Sequence, residues 1–190
     1  MAVIKKKEKE KPKMTANEVE LILAKHFNIR QVILVPNVSW GMLEYETDLL
    51  MLSKSNYATE IEIKVDKYDL INDIKKKHTH NSKLIHYLYF AIPDYLEEYI
   101  EHVPVHAGIL IIDRTYGKAY VRTLRVAKKH RVPKWTVEQR IQLMRLSTLR
   151  IWSLKDKLKG ITTKYKELLA WAKKEGKTNV PKKYVKKKRK

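Results

Sequence analysis

The chain has 190 residues, 44% of them hydrophobic, which is enough for one ordinary domain with a real core. Its formal net charge of +20 points to a polyanionic partner, and the absence of cysteine excludes disulfides and thiolate metal sites and fits a reducing cytoplasm. No apolar run approaches the ~20 residues of a membrane helix, and the basic start has no apolar stretch behind it, so it does not read as a secretory signal.

The charge is uneven. Residues 1–13 carry +4 and residues 172–190 carry +9, which leaves +7 for the centre. The two ends read as disordered basic arms, 1–13 and 177–190. Such arms attract polyanions by releasing condensed counterions. A plain solubility tail is the alternative. A membrane surface is disfavoured because the arms lack bulky apolar anchors.

Thr15 and Glu18 have the spacing of a capping box, which predicts a helix from Ala16 to about Phe27 with Val19, Ile22, Leu23 and Phe27 as its apolar stripe. Glu18 and Glu20 flank that stripe. Val32 to Val35 reads as a short strand ended by Pro36 and Asn37. Glu44, Glu46 and Asp48 share a face if their segment is extended. Asp48 then opens the apolar run Leu49 to Leu52, and Lys54, Ser55 and Asn56 look like a turn. From Tyr57 to Val65 the residues alternate. Glu60, Glu62 and Lys64 fall on one face, Ile61, Ile63 and Val65 on the other. The pattern predicts a hairpin with a row of charge on its second strand. Such a row is costly in a buried sheet unless it is well paired or holds a cation.

Asp66 can cap a helix to about Lys77. There Asp69, Asp73 and Lys77 line one side, either as an ion-pair ladder or as a group positioning Lys64 or DNA. His78, His80 and Lys83 follow in a predicted loop and suit phosphate or base contacts better than zinc. Tyr87 to Ile92 reads as a buried strand closed by Pro93, with a short helix from Asp94 to about Ile100. A hairpin of Val105 to Asp113 and Lys118 to Val126 comes next. Lys128, Lys129 and Arg131 make a basic cluster, read as a solvated loop or a nucleic-acid contact. A second capping box at Thr136 and Gln139 predicts a helix to about Lys159, stopped by Gly160, and a final helix from Thr163 to Glu175. Trp135 and Trp152 read as packing anchors. No glycine-rich phosphate loop is present, which argues against a nucleotide cofactor.

The order of an acid at Asp48, a turn, and Glu62-x-Lys64 on the next strand resembles the signature of the PD-(D/E)XK nuclease superfamily. The stretches around WGMLEYETDLLMLS, TEIEIKVDKYDLINDIKKKH, YLYFAIP and HAGILIID look like its MmcB-like DNA-repair branch and related phage-encoded proteins, over roughly residues 30 to 130. Thr47 stands where that signature often has proline.

The resemblance implies a restriction-endonuclease-like α/β domain over residues 14–160, with a mixed central sheet of about five strands flanked by helices, followed by a C-terminal helix at 161–176. It implies a metal-dependent DNA endonuclease of repair or recombination in a cytoplasm, with Asp48, Glu62 and Lys64 catalytic. Asp48, Glu62 and the Ile63 carbonyl would hold Mg²⁺ or Mn²⁺. Glu46, Glu60, Glu20 and Asp73 are supporting candidates. Lys77, His78, His80, Lys83, Lys128, Lys129 and Arg131 are candidates for DNA contact. A homodimer is open, and so is the role of Lys64 as base or as charge stabiliser. The rival reading is a silent or partner-dependent DNA- or RNA-binding module of the same fold.

Overall fold

The first capping box forms. The Glu18 amide donates to Thr15 Oγ1 at 3.3 Å, and the Thr15 amide donates to Glu18 Oε2 at 2.8 Å. It starts α1 (Ala16–His26), whose Val19 and Leu23 are fully buried. The structure is a computed structural model that describes residues 13–39, 41–73, 80, 82–115 and 118–175. The arm up to residue 12, the tail at 177–190, Lys77 and His78 lie outside the described residues.

The chain is α/β. One open mixed sheet holds six strands in the order of the sequence: β1 (Ile33–Val38), β2 (Thr47–Leu52), β3 (Ala58–Ile63), β4 (Ile85–Pro93), β5 (Gly108–Thr115) and β6 (Lys118–Arg125). β1, β2 and β3 form an antiparallel meander, so the predicted hairpin is β2–β3, with Leu50 opposite Glu60. β3, β4 and β5 run parallel, and β6 returns antiparallel. Parallel neighbours need crossovers. α2 (Lys67–Asp73) lies in the first, and a 3₁₀ helix (Asp94–His102) supplies the second.

The edge strand β1 contains Pro36 rather than ending at it. Among the described residues only β2 pairs with this strand, so the missing N–H costs no ladder bond on the outer side.

Side-chain alternation divides the core between the two faces of the sheet. Leu49, Ile61 and Ile63 pack with Val19 and Leu23 of α1. On the other face Leu50, Leu52 and Ala58 pack with Trp135, Leu143 and Leu146, while Leu88, Phe90 and Ile92 pack with Leu70 of α2. Trp135 anchors as predicted: it is buried, and its indole Nε1 donates to the Leu84 carbonyl at 2.9 Å. Trp152 does not, being exposed.

The second capping box also forms, between Thr136 and Gln139. It opens α3 (Val137–Lys174), which passes through Gly160 without a break and merges the two predicted helices. A glycine inside a helix costs only about 1 kcal/mol, too little to stop one of this length. The chain divides into two compact units, the first ending at Ser147 and the second beginning at Thr148, within α3.

Candidate active site

All six residues of β3 are buried, and Lys64 just beyond it is 2% exposed. On the face away from α1 this places Glu60, Glu62 and Lys64 in a row without water. Asp73, at the end of α2, and His80 are buried beside them. A cluster like this survives only if its charges are paired.

The pairing is extensive. Lys64 Nζ lies 3.1 Å from Glu62 Oε2 and 2.9 Å from Asp73 Oδ1, with Asp69 at 4.0 Å. His80 bridges two acids, with Nδ1 2.8 Å from Glu60 Oε1 and Nε2 3.0 Å from Asp73 Oδ2. The Tyr45 hydroxyl donates to Glu60 Oε2 at 2.6 Å. His80 itself stands at φ 49°, a left-handed turn that aims the ring back at the sheet.

The electrostatics follow from this geometry. Burial works against the Lys64 charge, but the charge of Glu62 and the hydrogen bond and charge of Asp73 more than offset it and hold the amine above its ordinary range. Burial likewise works against His80, and its bonds to Asp73 and Glu60 outweigh that, raising its pKa to about 9. The imidazole is therefore a cation at neutral pH. Burial and then the Glu60 charge push the Tyr45 hydroxyl up, so it stays a donor.

Asp48 reaches the cluster from β2. Its Oδ2 accepts the Ile63 amide at 2.8 Å, which puts the carboxylate beside the Glu62–Ile63 step. Glu20 of α1 is half-buried; desolvation, together with the negative charge of Asp48, raises its carboxyl pKa. Of the two acids that flank the α1 stripe, Glu20 is therefore the one near Asp48. Glu18 is taken by its cap and by Arg114 at 2.9 Å, and these bonds hold its carboxyl down at about 2.

Two observations bear on a metal. Glu62 Oε1 is buried and accepts no hydrogen bond among the described residues. In formal charge, the three buried carboxylates exceed the two buried cations by one, and half-buried Asp48 adds another. Both fit a divalent cation. Glu60, Glu62 and His80 bring ligand atoms within 4.8 Å of one another, but the His80 nitrogens are both engaged and the ring is charged. Asp48, Glu62 and the Ile63 carbonyl would offer oxygen alone, the donor type that a hard ion takes.

The other candidate residues are scattered. Glu46 is exposed before β2 begins. His80, predicted to touch nucleic acid, is 3% exposed with both nitrogens used, so it serves the cluster and not the surface. Lys83, Lys128, Lys129 and Arg131 are exposed and remain able to meet a polyanion. Tyr45 was not foreseen; it precedes β2 in an irregular segment, where no periodicity reveals its direction. A cavity of about 490 Å³ bounded by Phe27, Met51, Tyr87 and Tyr89 lies on the α1 face, across the sheet from Glu62, and does not belong to this site.

No helix among the described residues is long and apolar enough to cross a membrane. No family model matches the chain, and no curated protein does. Among solved structures it is similar to the SPO1766 protein of unknown function from Silicibacter pomeroyi, at 16% identity and a TM-score of 0.53, over 77% of this chain and 92% of that one. At that identity the likeness extends to the fold alone.

Proposed function

We propose that the chain is a metal-dependent DNA endonuclease of repair or recombination, with Asp48, Glu62 and Lys64 as its reacting set and Mg²⁺ or Mn²⁺ as cofactor. The observation that carries the reading is the Glu62 carboxylate, buried with one oxygen salt-bridged to Lys64 and the other without a hydrogen-bond donor among the described residues. A hard cation held by Asp48, Glu62 and the Ile63 carbonyl would polarise a water and neutralise charge at the scissile phosphate.

The chain's own groups account for the rest. Lys64 is an ammonium gripped by two carboxylates, Glu62 and Asp73, which suits stabilising negative charge on phosphorus oxygens better than taking up a proton. His80 and Tyr45 fix Glu60, and His80 also fixes Asp73, so they act as positioning residues. The exposed Lys83, Lys128, Lys129 and Arg131, with the basic arms, supply salt-dependent affinity for the DNA backbone.

The same grip favours a second reading, a binding module for DNA or RNA that turns over only with a partner, because Lys64 is neutralised within the protein. The test is cleavage of supercoiled plasmid, single-stranded DNA and a branched duplex in EDTA, Mg²⁺ or Mn²⁺, with Asp48→Ala and Lys64→Ala alongside. Ion-dependent cleavage lost in both variants is the expected result. Undiminished binding without cleavage of any substrate would shift the conclusion to the binding module. Competition between matched DNA and RNA duplexes at fixed salt separates the two polymers.

A further inference from the structure

The second unit of the chain has a feature that phosphodiester cleavage does not use. Within α3, Ile151, Leu154, Leu158, Ile161, Tyr165 and Leu168 follow one another at spacings of three, four, three, four and three. That is a heptad repeat with apolar residues at the first and fourth positions. Its period of 3.5, rather than 3.6, is the period that keeps one seam facing a supercoiled helical partner. All six side chains are 42–65% exposed. The row extends ~26 Å along the helix, at ~1.5 Å per residue.

An exposed apolar row of this length has no reason to remain in water. Its flanks say what kind of chain covers it. The positions beside such a seam choose the partner by charge. Here they are held by Lys155, Thr162 and Leu169 on one side and by Lys157, Lys164 and Trp171 on the other, with no acid on either. The two acids of residues 148–174, Asp156 and Glu167, stand away from the seam. A second copy of this helix, parallel or antiparallel, would therefore oppose lysines with lysines or neutral residues and gain no salt bridge. A lipid surface would be better met by a broad apolar face. Between Leu154 and Tyr165 this row is two residues wide per heptad, with Lys159 and Lys166 on the side of the helix beyond it, and Leu149, Trp152, Leu169 and Trp171 widen it only near its ends.

We propose that residues 151–168 of α3 are one strand of a heteromeric coiled coil, whose other strand is an amphipathic helix of a protein partner with apolar heptads flanked by Glu and Asp. The pairing buries the seam and neutralises Lys155, Lys157 and Lys164 by interhelical salt bridges. The proposal stands whether or not the sheet cleaves DNA.

The test uses the full chain and synthetic 28-residue helical peptides with Leu at the first and fourth heptad positions. One peptide carries Glu at the flanking positions, a second carries Lys there, and a third keeps Glu but has Ser in the seam. Fluorescence anisotropy at physiological salt is expected to show the Glu peptide binding at least tenfold more tightly than both others. The double variant Leu158→Asp with Ile161→Asp, on an exposed face and so not expected to perturb folding, should lose that binding. The triple variant Lys155→Glu, Lys157→Glu, Lys164→Glu should reverse the preference towards the Lys peptide. Equal binding of the Ser-seam peptide, or binding kept by the double variant, would reduce the effect to charge attraction and overturn the proposal. So would a stable dimer of the chain alone in sedimentation that Leu158→Asp dissociates, or tighter binding to vesicles containing phosphatidylglycerol than to the Glu peptide.

Discussion

Lys64, one residue past the end of β3, and Asp73, the last residue of α2, meet at 2.9 Å inside the protein, with 3% of either side chain exposed. The contact ties the strand carrying the candidate reacting groups to the helix of the first crossover. It also sets the cost of altering either residue. Lys64→Met would leave three buried carboxylates facing one cation and is expected to destabilise by about 3–5 kcal/mol. Asp73→Asn would leave two carboxylates facing two cations, with weakened hydrogen bonds, and is expected to cost about 1–3 kcal/mol. Urea unfolding in EDTA checks the order; equal losses would mean that the cluster does not carry the excess of negative charge described.

Divalent metal is expected to stabilise the fold. At a hundredfold excess over its dissociation constant an ion adds about 2.7 kcal/mol, and for a chain of this size each kcal/mol raises Tm by about 2–4 °C. Asp48→Asn and Glu62→Gln should abolish the Mn²⁺-induced shift in a thermal melt. Glu60→Gln should keep most of it. Loss of the shift with Glu60→Gln but not with Asp48→Asn would move the ion to the Glu60, Glu62 and His80 set.

His80 gives the fold a pH dependence of definite sign. Its pKa is raised from 6.5 to about 9 in the folded chain. The stability this contributes is fully present below pH 6.5 and is lost as pH rises through 9. The shift corresponds to roughly 3 kcal/mol. The stability difference between the wild type and His80→Gln should shrink by that order between pH 6 and pH 10. A difference independent of pH would mean that the imidazole is neutral throughout.

Gly108 opens β5 against a crowded neighbour. A Cβ there would run into the Tyr89 ring and come within 2.7 Å of the Ala127 backbone nitrogen. The ring can turn aside but the backbone cannot, so Gly108→Ala is expected to cost about 1–3 kcal/mol. Denaturation midpoints of the two proteins decide it.

The reading of the chain went furthest where one period governed. Alternation along residues 57–65 placed Glu60, Glu62 and Lys64 together because a strand allows no other arrangement of an i, i+2, i+4 set. Asp48 followed from the hairpin, and both capping boxes formed because their partners lie three residues apart. Contacts closed through space were harder. Asp73 was legible only as one of two options, since spacing along a helix does not tell which side meets a strand. His80 reads as a phosphate or base contact because its left-handed turn, which swings the ring under the sheet, leaves no mark in the sequence. Glycine punctuation misled at Gly160, where a long helix absorbed a residue that would end a short one.

Pro36 has a consequence for this protein at high concentration. An open sheet exposes the outer backbone of its first strand, and a regular edge can recruit a strand from another molecule and begin an aggregate. β1 is that edge. Proline on an edge strand is one of the residues that blunt such recruitment. Replacing Pro36 by Val would keep the fold and remove the obstacle, and the solubility of the purified chain would be the first property to suffer.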